Sequence, residues 1–289
     1  MYKRIPWRSI AVITILLVTI SAITIYLIRN PKLFDLLKNT SPVAIALIFS
    51  LYLLFILSLA FINDATLKLC KQPIKASESL LVTMYSSVVN FFGPLQSGPA
   101  FRALYFKKLH NVDLKKFTLA TFAYYIFYAS FSGIFLLASS LTWWLLPLFA
   151  AGFSLVLIYA KARPYALNKI KILNLKFIGY LGIATLVQIL IQAVIYYVEL
   201  NSIMSGVGIG QVLAYTGAAN FALFVSITPG AIGFRESFLL FSEKLHHISS
   251  GNIVVATTLD RAVYVTVLIF LAIIIFATHA QKKFTNLEK

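Results

Sequence analysis

The feature that most constrains this chain is a pair of similar breaks in apolar sequence, one in each half. The first reads GPLQSGPAFR at residues 93–102, and the second reads TPGAIGFRE at residues 228–236. Proline lacks the backbone donor and glycine readily adopts positive φ, so both interrupt a helix. The breaking residues are Pro94, Gly98, Pro229, Gly230 and Gly233. In lipid, the backbone groups freed there must be satisfied by protein or by a wet cavity.

Long apolar runs place the chain in a membrane. Of its 289 residues, 60% are hydrophobic and only 12% are charged. Charge-free runs cover residues 10–28, 42–63, 118–160 and 177–198. About 20 helical residues cross the hydrocarbon, so the run at 118–160 is long enough for two spans. We predict an all-α polytopic membrane protein with about six full transmembrane spans, the last at residues 252–278.

The distribution of positive charge predicts the orientation of these spans. Most of the 25 Lys and Arg residues fall in five short segments: the N-terminus, residues 68–75, 102–116 and 161–176, and the C-terminal tail. Cytoplasmic loops carry such an excess, so we expect both termini to be cytoplasmic in a multi-pass protein of the cell membrane. The net charge of +16 is therefore assigned to topology and anionic headgroups, and no nucleic-acid partner is expected.

The charge pattern also predicts how the two breaks meet the bilayer. Basic clusters flank a first region at about residues 79–106, whose apolar arm is short for a span, so we expect it to enter and leave from the cytoplasm. A second region, at about residues 211–245, is expected to enter from outside. Two re-entrant helical hairpins of opposite direction would form an inverted-topology repeat within one membrane domain covering residues 1–289. Ordinary bent spans are the alternative.

Polar residues near the breaks and within apolar runs are the candidate substrate-binding residues. They are Arg102, Arg235, Glu236, Asp260, Arg261, Gln188, Gln192 and Glu199. Arginine binds phosphate through a bidentate fork, and a helix start after the second break would also attract an anion.

Each of these candidates also has a structural alternative. Arg102, taken to end the first hairpin, is alternatively a cytoplasmic anchor, and Glu236 a helix cap. The stripe of Gln188, Gln192 and Glu199 lines a polar groove or joins two helices. Because charges inside a membrane need partners, we expect Asp260 to pair with Arg235, and Arg261 with Glu236 or Glu199.

Three segments together resemble the flippase-like membrane domain of lysylphosphatidylglycerol synthases. They are the Pro-x-x-x-Gly-x-x-x-Arg element at residues 94–102, the second break, and LDRAVY at residues 259–264. The resemblance covers nearly the whole chain. Ala231 replaces a usual glycine, Gln96 and Pro99 replace a basic residue and a glutamate, and Tyr124 and Tyr125 lie where an arginine is often found. Since the chain ends soon after its last span, we expect no synthase domain and no synthesis of lysyl-lipid.

The resemblance and the paired breaks together predict a lipid translocase of flippase or scramblase type. Its cargo would be an anionic or phosphate-bearing lipid, such as a polyprenyl-phosphate-linked or aminoacylated lipid. We find no P-loop, no Gly-x-Ser-x-Gly and no metal-ligand spacing, so we expect no enzyme activity, metal or cofactor. The alternative is an enzyme or membrane subunit of lipid-linked glycan or cell-envelope biosynthesis. Membrane lipids are the expected partners, and a homo-oligomer or an envelope-biosynthesis partner stays open.

Overall fold

Helices make up the described part of the chain. The computed structural model describes residues 38–92, 97–137, 175–225, 231 and 233–285, together with residues 28, 31 and 35. These contain no strand, and their helices are α1 (Pro42–Leu69), α2 (Ala76–Phe92), α3 (Ser97–His110), α4 (Leu114–Leu136), α5 (Leu175–Ile203), α6 (Ile209–Val225), α7 (Phe234–Phe241), α8 (Glu243–His246) and α9 (Ser250–Thr285). The chain is therefore a helical protein over these residues.

Four of these helices are long and apolar enough to cross a membrane. They are α1, α4, residues Lys176–Ile203 of α5 and residues Ser250–Ala277 of α9. Large apolar side chains point outward from them, including Phe61 and Phe276, which are 58% and 76% exposed. Such faces are stable against lipid and costly in water. The expected spans at residues 10–28 and in the second half of 118–160 lie outside the described residues.

The first break lies within a helical hairpin built from α2 and α3. At its closed end, Ser97 Oγ donates to the Val89 carbonyl (2.9 Å) and the Gly98 amide donates to Asn90 Oδ1 (3.1 Å). At its open end, the Tyr105 hydroxyl donates to Glu78 Oε1 at 3.0 Å, and His110 Nε2 lies 2.6 Å from that oxygen. The two helices therefore run antiparallel, and the chain leaves the hairpin at the end where it entered.

The second break lies within a hairpin of α6, α7 and α8. At its open end, the Gln211 side chain donates to the His246 carbonyl (3.2 Å), and the Tyr215 and His246 rings lie 5.5 Å apart. α7 follows the break directly and begins after Gly233, whose φ of +84° favours glycine. The chain therefore also leaves this hairpin at the end where it entered.

The two ends of helix α5 show where the hairpins lie relative to each other. Its 29 residues rise about 43 Å. The Lys68 ammonium at the end of α1, just before the first hairpin, lies 5.6 Å from the ring of Tyr180 near the start of α5. The second hairpin follows the end of α5, where Asn252 of α9 also contacts Met204 (3.4 Å). The open ends of the hairpins thus lie at opposite ends of α5.

Gly98 allows close contact between α2 and α3. A Cβ at this position would lie 2.7 Å from the Ser86 carbonyl oxygen and 2.8 Å from Asn90 Cβ. We expect Gly98→Ala to lower the free energy of unfolding by about 1–3 kcal/mol, because the helices must separate. Thermal unfolding in detergent measures this loss. Gly179→Ala in α5 is the matched control, since a Cβ there meets no atom within 4 Å; an equal loss in both variants would contradict the close-contact explanation.

Candidate functional site

A polar cavity of about 210 Å³ lies between the closed ends of the two hairpins. Residues beside the breaks line it from both hairpins: Gly98 and Pro99 from the first, and Ala231 from the second. Further lining side chains come from α1, α4, α5 and α9. A cavity with polar side chains gives interrupted helices a polar environment for their backbone groups.

A buried ion pair joins α7 to α9 at the cavity wall. Arg235 Nη1 lies 2.5 Å from Asp260 Oδ2, and the Tyr52 hydroxyl of α1 donates to Asp260 Oδ1. The Arg235 guanidinium also lies over the Tyr196 ring, with its Cζ 5.1 Å from the centroid. The expected pairing of Asp260 with Arg235 is therefore present, and it connects three segments that are distant in sequence.

A second ion pair lies one residue further along α9. Arg261 donates to Glu236 Oε1 from Nε (2.8 Å) and Nη2 (2.6 Å), in the way expected from the sequence, whereas the alternative of Glu199 is not used. Glu236 Oε2 accepts the Gly233 amide at 2.7 Å and so caps the start of α7. Glu236 therefore has both roles that the sequence suggested, helix cap and partner of an arginine.

Glutamines of α5 form a row of hydrogen bonds with tyrosines of α4. The Tyr124 hydroxyl donates to Gln188 Oε1 (3.1 Å), and the Tyr128 hydroxyl donates to Gln192 Oε1 (3.5 Å). The Gln192 amide in turn donates to the Tyr196 hydroxyl at 3.0 Å. Both glutamines also line the cavity. They therefore have both of the roles that the sequence offered as alternatives, lining a polar groove and joining two helices.

Arg102 lies in the cavity wall, away from the open end of its hairpin. The prediction that it ends the first hairpin is wrong, because α3 continues to His110 and carries Lys107 and Lys108 in its last turn. Its Nε is buried without a hydrogen-bond acceptor among the described residues. The Tyr124 and Tyr125 side chains lie near enough to interact with its charge. Among described acidic residues, none forms an ion pair with Arg102.

Glu199 is fully buried behind the cavity wall, with an exposure of 0%. Its carboxyl group is within hydrogen-bonding range of that of Asp260, yet the cavity lining does not include it. The stripe on α5 thus divides into two glutamines at the cavity and one carboxyl behind it.

Sequence reasoning missed the aromatic hydroxyls of the site. Tyr52, Tyr128, Tyr196 and Tyr264 line the cavity together with Tyr124 and Tyr125, which lie where an arginine is often found in the family. The signal was present, since 15 tyrosines occur in a chain this apolar and a buried tyrosine hydroxyl needs a partner. Of the five helix-breaking residues, Gly98 and Gly233 are placed as described above, whereas Pro94, Pro229 and Gly230 lie outside the described residues.

Comparison with known proteins identifies one family. The family model of the lysylphosphatidylglycerol synthase TM region matches residues 9–272, which include both hairpins and the whole polar cavity. The chain matches no curated protein and no solved structure.

Proposed function

Because the chain belongs to the lysylphosphatidylglycerol synthase TM-region family, we propose that it moves an anionic, phosphate-bearing lipid across the cell membrane. Membership of this family and the membrane-crossing helices establish a membrane protein of lipid metabolism or transport. The observation that carries the finer proposal is Arg102, a partly buried arginine at a polar cavity, whose buried Nε has no acceptor and which has no acidic partner among the described residues. Polyprenyl-phosphate-linked and aminoacylated lipids are the candidate cargoes.

The charges around the cavity favour an anion. Three arginines line it, and two of them are matched by acids: Arg235 by Asp260, and Arg261 by Glu236. Among the arginines of the cavity wall and their acidic partners, Arg102 therefore leaves one positive charge in excess. A buried charge is costly unless it is paired, and a guanidinium forms two parallel hydrogen bonds with phosphate. A phosphate group is therefore the ligand that this side chain fits.

The size of the cavity suits a headgroup rather than a whole lipid. Its 210 Å³ holds several water molecules, since a space of about 10–15 Å³ is enough for one. We propose that the phosphate and its immediate substituent pass through the cavity while the acyl or prenyl chains stay in the surrounding lipid. The exposed apolar faces of α1 and α9 are consistent with chains travelling along the outside.

We further propose the complete arrangement: six spans and two re-entrant hairpins related as an inverted-topology repeat, with both termini in the cytoplasm. Support comes from the open ends of the hairpins, which lie at opposite ends of α5, and from closed ends that meet at one cavity. Basic residues at 68–75 and 107–116 flank the first hairpin and favour its opening to the cytoplasm.

We propose that the lipid passes through without chemical change. The enzyme alternative would need an acid and a base that both reach the substrate. Among the described residues, Asp260 is held by Arg235 and Tyr52, and Glu199 does not line the cavity. These carboxyl groups therefore suit electrostatic roles better than acid–base catalysis.

Reconstitution into liposomes tests the proposal. Labelled phosphatidylglycerol, lysylphosphatidylglycerol and a polyprenyl phosphate would be compared with a labelled glycolipid that lacks phosphate, and the label exposed on the outer leaflet followed with time. We expect faster translocation than in protein-free vesicles for at least one phosphate-bearing lipid, and no acceleration for the glycolipid. Rates equal to those of protein-free vesicles for every phosphate-bearing lipid would overturn the proposed function.

A further inference from the structure

Two buried carboxyl groups lie close together at the cavity wall, and only one of them receives hydrogen bonds from arginine and tyrosine donors. Glu199 of α5 is 0% exposed and Asp260 of α9 is 2% exposed, and their side chains lie within hydrogen-bonding range of each other. Asp260 receives donors from Arg235 and Tyr52. Apart from the contact with Asp260, neither oxygen of Glu199 has a hydrogen-bond partner among the described residues.

Charged and titratable groups on five helices lie near Glu199. They are Tyr52 on α1, Tyr196 on α5, Tyr215 on α6, Arg235 on α7 and Asp260 on α9. Only one of these, Arg235, is a cation, and its single positive charge is already matched by Asp260, although its Nε and Nη2 have no acceptor among the described residues. A second negative charge on Glu199 would therefore be buried without a cation of its own.

Two adjacent carboxyl groups can form a hydrogen bond only if one of them carries a proton. Like charges in one buried site disfavour double ionisation, as in carboxylate dyads generally. Since Asp260 holds the ion pair and accepts from Tyr52, the proton belongs on Glu199. The hydroxyl of the Glu199 carboxylic acid then donates to Asp260, which satisfies the group that otherwise has no partner.

We propose that Glu199 is a proton-binding site whose occupancy controls anion binding in the cavity, so that lipid movement is coupled to a proton. The coupling rests on the proposed function, and the proton site itself does not. With Glu199 protonated, the charged groups at the site retain the one excess positive charge of Arg102. When Glu199 releases its proton, which passes through the neighbouring Asp260 carboxyl group at the cavity wall to water, Glu199 becomes a carboxylate and that excess is cancelled.

Linkage gives the direction of the coupling. If a proton on Glu199 strengthens binding of an anionic headgroup, the bound headgroup strengthens binding of the proton by the same factor. Anion and proton are therefore taken up together on an acidic side and released together on an alkaline side. A pH gradient across the membrane would then drive net lipid movement towards the alkaline leaflet.

The coupling is tested in proteoliposomes with an imposed pH gradient and labelled phosphatidylglycerol, or whichever phosphate-bearing lipid the protein moves. For the wild type we expect movement towards the alkaline leaflet to be about fivefold faster or more than movement in the reverse direction. Glu199→Gln resembles the protonated acid in shape and charge, so we expect it to move lipid at equal rates in both directions. Glu243→Gln on α8 is the control, and it should keep the wild-type ratio.

The proton site is tested separately by infrared spectroscopy of the purified protein in detergent at neutral pH. We expect a carbonyl stretching band of a buried carboxylic acid in the wild type, and its loss in Glu199→Gln but not in Glu243→Gln. A band that persists in Glu199→Gln, or is absent from the wild type, would overturn the proton site. Lipid movement at equal rates in both directions in the wild type would overturn the coupling. If no lipid moves at all, the proposed function and the coupling both fail, while the infrared band still decides whether Glu199 holds a proton.

Discussion

Replacing Asp260 by alanine is expected to lower the free energy of unfolding by about 3–5 kcal/mol, the usual cost of leaving one member of a buried ion pair without its partner. Arg235 already has Nε and Nη2 buried without acceptors among the described residues, so its contact with Asp260 supports most of its charge. Tyr52 would lose its acceptor as well. Chemical or thermal unfolding in detergent measures the loss.

A double-mutant cycle separates the pair from its surroundings. We expect Arg235→Ala combined with Asp260→Ala to be less damaging than the sum of the single changes, because the double variant buries no unpaired charge. Asp64→Ala is the matched control: its ion pair with Lys68 is similarly short, at 2.7 Å, but partly exposed, so we expect a loss of about 0.5 kcal/mol or less. Single and double losses that simply add would contradict the buried pair.

Replacing Arg102 by glutamine is expected to slow lipid translocation by about 10- to 100-fold, the loss of one or two hydrogen bonds between charged groups. The expected effect on stability is opposite to that at Asp260. Arg102 is partly buried and has no acidic partner among the described residues, so its removal takes away a charge that lacks a counter-ion and leaves folding unchanged or improved. The measurements are the translocation rate in liposomes and the melting temperature in detergent.

Two further variants make the Arg102 prediction specific. Arg102→Lys keeps the charge but loses the planar fork, so we expect a rate between wild type and Arg102→Gln. Lys107→Gln removes an exposed charge from the same helix at the open end of the hairpin, and it should move lipid at the wild-type rate. Wild-type translocation by Arg102→Gln would remove Arg102 from the site, and a large fall in its melting temperature would show a structural role instead.

The ion pairs were predictable from sequence because a charged side chain inside a membrane needs a partner and has few to pair with. Asp260 and Arg261 are adjacent on one apolar helix, and Arg235 and Glu236 follow one break. Neighbours on a helix point about 100° apart, so each had to find a partner on another segment. With few acidic residues in the apolar segments, the observed pairing was among a small number of combinations.

The position of Arg102 and the tyrosine contacts were not predictable in the same way. The sequence showed where the first helix break lies, but not how far α3 would continue before its end at His110. Tyrosines give little periodic signal inside an apolar helix, because their rings suit lipid, core and cavity alike. Only the approach of α4 to α5 shows that Tyr124 meets Gln188, 64 residues later in the chain.

The paired breaks, the hydropathy and the charge pattern determined by themselves that this is a helical membrane protein with interrupted helices, because these properties depend on neighbours along the chain. The tertiary structure alone decided that both breaks face one cavity, that Arg102 lies in its wall, and that Glu199 meets Asp260. Those contacts depend on which helix faces pack together. Packing is set by the shapes of many side chains at once, and no local pattern encodes it.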